Sequence, residues 1–326
     1  MTVCGNPKTY HIETSDSGFG HYRIRHKAFP ELSFGDIDTS AVFLAKRVSL
    51  PFFISSMTGG DIRGTALNHL LASAAEELGL PFGTGSIRIA LEHDSLIPRF
   101  DLRAVAPTIP LFANIGIVQL ARLNRDKLSA IMEKLGYDAL AVHCNPAQEL
   151  FQPEGDRDFS GLRDKLADFI RNAPFPIIVK ETGFGFASDE LRFLADAGAA
   201  YIDVAGAGGA NWALIEGYRN GNLEAAQEFA DWGYPTAEIL ANNPIPGRLL
   251  ASGGIRTARD CFVALALGAV SCGIALPVFR IAVKKGRPAV IDYFSNLAEN
   301  FKRMMLLSGS SNLDTLTKPG VVEYLG

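Results

Sequence analysis

Eight short apolar runs recur along the chain, each followed by polar or glycine-rich residues and then by helical spacing. They are SLPFFISS (49–56), LPFGTG (80–85), PLFANIG (110–116), DALAVHC (138–144), FPIIVKE (175–181), AAYIDVAG (199–206), GRLLASGG (247–254) and AVSCGIAL (269–276). Several are nearly continuous in apolar residues, as strands buried on both faces should be. Between them, ALNHLLASAAEELG (66–79), LSAIMEKLG (128–136), SDELRFLADAG (188–198) and TARDCFVALALG (257–268) read as helices. Gly79, Gly136 and Gly268 stand where helices stop, and Ser188 and Thr257 where N-caps belong. Eight strands alternating with helices predict an α/β fold of the TIM (β/α)8 barrel type, with an N-terminal extension and a C-terminal helix. No GxGxxG opens a first βα unit, which disfavours an open doubly wound sheet.

The 326 residues read as a single (β/α)8-barrel domain, 1–326. Residues 1–47 would extend over the barrel mouth, 48–290 would form the barrel, and 291–326 a C-terminal helix and tail. Residues 217–243 read as a long insertion after strand six, 291–307 as the closing helix, and SGSSNLDTLTKPG (308–320) as loose. The 48% hydrophobic content supports a core of that size. CFVALALGAVSCGIALPVF (261–279) is long enough to suggest a membrane span, but Gly268, Ser271, Gly273 and Pro277 interrupt it. A buried helix ending at Gly268 and then a buried strand explain it better. The N-terminus lacks the apolar region of a signal peptide, and four cysteines without CxxC or zinc spacing read as reduced thiols. A cytoplasmic location follows as an expectation. A net charge of -4 argues against a dedicated nucleic-acid surface.

Reactive residues of such barrels lie at the C-terminal ends of strands. Those ends carry Ser55-Ser56-Met57-Thr58-Gly59-Gly60, Ser86 and Arg88, Asn114, HCNPAQE (143–149), Lys180-Glu181-Thr182-Gly183, AGAGGANW (205–212), SGGIR (252–256) and GIALP (273–277). In SGGIRTARD the glycines would let backbone N–H groups approach a phosphate, and the following helix N-terminus would add partial positive charge. A plain βα turn is the alternative. The matching phosphate site would use Gly254, Arg256, Ala275 and Leu276. Lys180 ends a buried run and needs an anion, because an unpaired ammonium there is costly. That anion is Glu181 or an aspartate in an internal ion pair; otherwise the lysine forms a Schiff base or stabilises a reduced flavin. The phosphate signal and the polar strand ends favour flavin mononucleotide.

FISSMTGG, GTGSIR, FANIG, HxNPxQE, QPEGDRDFSG, VKETGFG, GAGG-x-x-W and SGGIR occur in this order. Together they resemble the type 2 isopentenyl diphosphate isomerases, flavin-dependent enzymes of isoprenoid synthesis, from Lys8 through Pro277. The resemblance implies a reversible double-bond shift between isopentenyl and dimethylallyl diphosphate, with reduced FMN, Mg²⁺, and NADPH or NADH as reductant. It implies flavin contacts at Ser56, Met57, Thr58, Gly59, Ser86, Asn114 and Lys180, with Gly254, Arg256, Ala275 and Leu276 at the phosphate end. The diphosphate would meet Lys8, His11, Ser86, Arg88, His143 and Asn145. Gln148 would lie at the reacting carbons as catalytic residue, and Glu149 would hold the metal. It also implies a homo-oligomer, a tetramer or octamer.

Two positions depart from that pattern. Pro7 stands where an arginine is common, which removes a diphosphate contact unless Arg23 or Arg25 substitutes. Ala210 stands where a threonine is common, and Asn211 is the candidate to compensate for its hydroxyl. These departures motivate one rival, an FMN-binding paralogue with an impaired substrate site. The other rival is an FMN-dependent 2-hydroxy-acid oxidase, whose SGGIR region is similar. That chemistry needs a histidine base and an arginine after strand six, and AGAGGANWALIE supplies neither.

Overall fold

In the computed structural model, which describes residues 2–59 and 62–326, the eight apolar runs become eight parallel strands closed into a barrel. They are β1 (Phe52–Ile54), β2 (Phe82–Ser86), β3 (Leu111–Gly116), β4 (Ala139–His143), β5 (Ile177–Lys180), β6 (Tyr201–Asp203), β7 (Leu249–Ala251) and β8 (Ser271–Ile274). β8 pairs with β1 through Cys272↔Phe52, Gly273↔Phe53 and Ile274↔Ile54, which closes the ring. Gly60 of the MTGG motif lies outside the described residues.

Side chains alternate between the two faces of each strand. Phe52 points outward and meets Phe301, ring centroids 5.3 Å apart, while Phe53 points inward against Phe112 at 6.0 Å. Ala141, Ile178 and Leu250 complete this inner layer. One end of the barrel is stoppered by a hairpin pairing Ala41–Phe43 with Lys46–Val48. Its Phe43 is 1% exposed and stacks on Tyr201 at 5.1 Å. The N-terminal extension therefore divides. Residues 2–4 line the mouth, whereas the hairpin closes the opposite end, because Phe43 and Val48 are large apolar side chains that need the barrel's inner layer.

The helices follow expectation with local differences. Ile62–Leu78, Arg125–Leu135, Ser188–Ala197 and Ala258–Ala266 flank the barrel, and Gly136, Gly198 and Gly268 adopt positive φ beyond the last turn. Thr257 is the N-cap of its helix, its hydroxyl accepting from Asp260 N while Asp260 accepts from Thr257 N. Ser188 is instead the first helical residue. The cap is Ala187, which has no side-chain acceptor to offer; its own N–H donates to the Glu190 carboxylate at 2.8 Å, so Glu190 satisfies the cap residue's amide instead. The run 261–279 is a helix end, a turn and β8, and among the described residues no helix is long and apolar enough to cross a membrane.

Two readings are corrected. The insertion after strand six is helical and begins earlier than expected, as Trp212–Asn220, Leu223–Gln227 and Thr236–Ala241. The tail is not loose. Asn312 caps a turn at Leu313–Leu316, Leu316 is fully buried, and Val322–Tyr324 pairs antiparallel with Tyr22–Ile24. That order comes from partners far away in sequence, which the polar tail does not announce. The helix Leu276–Ser308 is broken at Gly286 (φ 75°), two residues before Pro288.

Asp138, just before β4, ties the stoppered end together. Its Oδ2 accepts from Arg103 Nη2 at 2.6 Å, Lys46 Nζ at 2.9 Å and Leu111 N at 2.8 Å. Asp138→Ala would strand three donors at a partly buried site and should cost about 2–3 kcal/mol in urea unfolding. A loss below about 0.5 kcal/mol, the range of ordinary surface substitutions, would contradict that role.

Candidate functional site

The register of the parallel ladder brings the polar strand ends to one level. Ser86 pairs with Asn114, Gly116 with His143, His143 with Lys180, and Lys180 with Asp203. Above this ring lies a cavity of about 680 Å³, within the range of small-molecule sites. Of the sequence candidates, it gathers Ser56, Met57, Thr58, Gly59, Ser86, Asn114, His143, Gln148, Lys180, Gly254, Arg256, Ala275 and Leu276. Lys8, His11, Arg88, Asn145 and Glu149 do not line it. Lys8 and His11 are exposed on the segment bordering the mouth, and Arg88 is exposed beside Glu92. Asn145 and Glu149 are buried behind Gln148.

At one end, the loop after β7 turns through Gly253 (φ 90°) and Gly254 (φ 77°). A Cβ on Gly253 would come 2.1 Å from Gly206 O, and one on Gly254 2.4 Å from Ser17 Cβ, so only glycine fits. Gly254 N and Ile255 N donate to no acceptor among the described residues, whereas Arg256 N and Thr257 N donate to Asp260. The helix opening at Leu276 adds its own N-terminus. Two hydroxyls of cavity-lining residues, Ser56 Oγ and Thr182 Oγ1, are buried and unpartnered. Open amides, a helix N-terminus and orphaned hydroxyls around a long cavity fit a phosphate-bearing, hydrogen-bonding planar group such as FMN.

Lys180 is 9% exposed and lies 3.6 Å from Asp203 Oδ2, with Nζ donating to Glu181 O at 2.8 Å. Its anion is thus the aspartate, and Ser252 Oγ fixes that aspartate by donating to Asp203 Oδ1 at 2.6 Å. The ammonium remains a wall of the cavity. The Glu181 carboxylate turns away, one oxygen accepting the N–H groups of Thr182, Gly183, Phe184 and Gly185 at 2.5–3.0 Å. Burial pushes Glu181 up to about 7 against the pull of those four amides. Cys144 is pushed up to about 12, chiefly by burial, which excludes a thiolate nucleophile at neutral pH.

Opposite the glycine turn stands the HCNPAQE stretch. Gln148 Oε1 accepts from Asn145 Nδ2 at 3.0 Å, and Gln148 Nε2 donates to Glu216 Oε1 at 3.2 Å. The amide plane is held from both ends. Glu149 accepts from Asn145 Nδ2 and Asp156 N, and has no ion-pair partner among the described residues. A buried carboxylate without a cation is costly, and its remaining lone pairs suit one hard divalent ion. No cluster of three or more metal-ligating side chains occurs among the described residues, so any such ion needs ligands from its substrate.

Several residues escaped the sequence reading. Glu216, 1% exposed, takes Gln148, Gln152 and Arg219, and Arg219 lines the cavity. Their only signal was an i,i+3 acid–base pair within an otherwise apolar helix. Arg23 does not replace Pro7; it lies on the ribbon opposite Glu323, and neither it nor Arg25 lines the cavity. Asn211 does not compensate for Ala210 either. Its side chain caps Leu214 N and donates to Phe229 O, which engages both of its ends. Glu13 bridges Arg256 and Arg280, so the Arg256 guanidinium already holds a carboxylate. Burial raises the Glu13 pKa, but the charges and hydrogen bonds of the two arginines outweigh it and leave the carboxyl below its usual range.

A family model described as FMN-dependent dehydrogenase matches residues 128–323. The isopentenyl-diphosphate delta-isomerase of Xanthobacter autotrophicus is 43% identical over 312 residues, covering 93% of this chain and 90% of that protein. That of a Nostoc species is 40% identical over 318 residues, covering 95% and 90%. Among solved structures, a flavocytochrome b2 variant with benzoylformate matches with a TM-score of 0.71 at 19% identity, covering 98% of this chain and 80% of that one. An (S)-mandelate dehydrogenase chimera matches with a TM-score of 0.67 at 20% identity, covering 98% and 92%. At such identities these two carry the barrel fold alone.

His143 Nδ1 lies 2.8 Å from Asn114 Oδ1, and burial, aided by the Lys180 charge, lowers its pKa from 6.5 to about 4. The imidazole is therefore neutral at pH 7. Because the unfolded chain takes up that proton first, the stability from this group is complete above about pH 6.5 and is lost as pH falls towards 4. An NMR titration of the ligand-free protein should place the His143 midpoint near 4. A midpoint at or above 6.5 would contradict the burial argument.

Proposed function

This chain belongs to the FMN-dependent, type 2 isopentenyl-diphosphate delta-isomerases, and on that premise we propose that it uses reduced FMN and Mg²⁺ to interconvert isopentenyl and dimethylallyl diphosphate. The observation that carries this reading is a single cavity lined by orphaned hydroxyls, with open amides at one wall and the doubly held Gln148 amide at another. When bound, reduced FMN supplies the acid and base that move a proton on and off the isoprene carbons, and NADPH or NADH supplies its electrons. Ser56, Met57, Thr58, Gly59, Ser86, Asn114 and Lys180 would surround its ring. Gly254, Arg256, Ala275 and Leu276 would receive its phosphate end, Arg256 through its place in the loop because its guanidinium holds Glu13.

The chain's own residues provide what alkene protonation needs. Developing tertiary carbocation character requires a site shielded from water, and Val3, Met57, Trp212, Ile215, Leu276 and Phe279 supply the apolar lining. Lys180 favours negative charge on the group it faces. Gln148 offers an oriented, uncharged amide that cannot trap the cation as a carboxylate would. Lys8, His11, Ser86, Arg88, His143 and Asn145 would meet the diphosphate, with Arg219 as a further cation in place of the missing residue at position 7. His143 would donate to it only after taking up a proton, which a nearby dianion promotes. Glu149 would hold Mg²⁺ against the diphosphate oxygens. Assembly as a homo-oligomer in the cytoplasm belongs to the same proposal, supported by the exposed Trp232 and Tyr234 and by four free thiols.

The test is anaerobic turnover of isopentenyl diphosphate with photoreduced FMN and Mg²⁺, followed by product analysis. Dimethylallyl diphosphate is expected. Bound FMN without any isomerisation would instead favour the paralogue with an impaired substrate site. Gln148→Ala should lower kcat about 100-fold or more while the flavin absorbance of the purified protein is unchanged. Release of FMN with normal turnover on reconstitution would remove Gln148 from the chemistry. Glu149→Gln should raise the Mg²⁺ concentration needed for half-maximal rate about tenfold, and an unaltered requirement would remove Glu149 as the ligand.

A further inference from the structure

Arg280 belongs to the helix opening at Leu276 but reaches back to the N-terminal segment twice. Its Nε donates to Cys4 O at 2.9 Å, and its Nη1 donates to Glu13 Oε2 at 2.5 Å. The other Glu13 oxygen takes Arg256, whose Nε lies at 3.1 Å. These side chains are partly withdrawn from water, with exposures of 19% for Arg280 and 27% for Glu13. Between the two points that Arg280 grips lie Lys8 and His11. Lys8 is exposed and makes no hydrogen bond among the described residues, and His11 is fixed only through its backbone N–H, 3.4 Å from the Tyr218 hydroxyl. Neither residue can hold its own position. Their placement depends on their neighbours in the segment: Tyr10 packs edge-on against Tyr218 at 5.1 Å, and Ile12, next to Glu13, is buried with its carbonyl accepting from Asn211 N at 2.8 Å.

We propose that Arg280 and Glu13 form a latch that holds the segment carrying Lys8 and His11 across the cavity mouth, setting affinity for the diphosphate substrate without touching the reacting atoms. The inference rests on the isomerase reading for its substrate and on the geometry alone for the latch. A guanidinium suits the task because its rigid fork satisfies a carbonyl and a carboxylate at once, which the point charge of a lysine cannot do. Both residues are positioning residues. Their loss leaves Gln148 in place but frees the segment, with the mouth-lining residues 2–4, to open more often.

The test uses the FMN-loaded, full-length enzyme and two conservative variants, Glu13→Gln and Arg280→Lys. Retained flavin absorbance reports that each has folded. KM for isopentenyl diphosphate should rise about tenfold while kcat stays within about twofold, the signature of lost substrate binding. Independently, maleimide labelling of Cys4, located by peptide mapping, should accelerate about tenfold as its segment opens more often. Unchanged KM and unchanged labelling would overturn the latch, as would a fall in kcat at constant KM. If the parent enzyme turns over no isopentenyl diphosphate, the isomerase reading fails, yet the Cys4 labelling rates of parent and variants still decide whether the latch exists.

Discussion

The pairing register of the parallel strands is the constraint from which the site follows. A slip of one residue between β4 and β5 would part His143 from Lys180 and turn one of them away from the barrel interior. The same ladder sets Lys180 against Asp203 and Ser86 against Asn114. It is held by apolar packing on both faces, with Phe53, Phe112 and Ile178 inside and Phe52 with Phe301 outside. Polar chemistry at the mouth is thus positioned by hydrophobic burial below it. A buried ammonium such as Lys180 is tolerable because the register delivers its counter-ion with it.

Around that ring the protein divides the labour between backbone and side chain. The glycine turn after β7 offers amides, and Gly253 and Gly254 pack so closely on neighbouring backbone and Ser17 that no side chain can stand there. Across the cavity, Asn145 and Glu216 orient one neutral amide, and Glu149 sits behind it as a buried carboxylate without a cation. One wall offers open backbone amides, the other a single oriented side-chain amide.

What could be read from the sequence follows from which forces are local. Strands buried on both faces have a composition of their own, and strand ends in a barrel share one address, so Lys180, Asn114 and Gln148 were legible. Glu216, Arg219, Glu13 and Arg280 were not, because each acquires meaning from a partner supplied by another element. The C-terminal tail misled for the same reason; its strand exists only through Tyr22–Ile24. Asn211 was expected to offer a hydroxyl substitute, but helix capping claims it first. Local competition for a side chain is as invisible in a sequence as a long-range contact.

The stopper at the far end of the barrel carries a consequence for traffic. Phe43, Phe53 and Phe112 fill the interior beneath the cavity, and Asp138 holds the hairpin there through its Lys46 while also taking Arg103. The cavity is a blind alley. Whatever enters must leave by the same doorway, so product on its way out obstructs the next substrate, and any element that slows entry also slows departure.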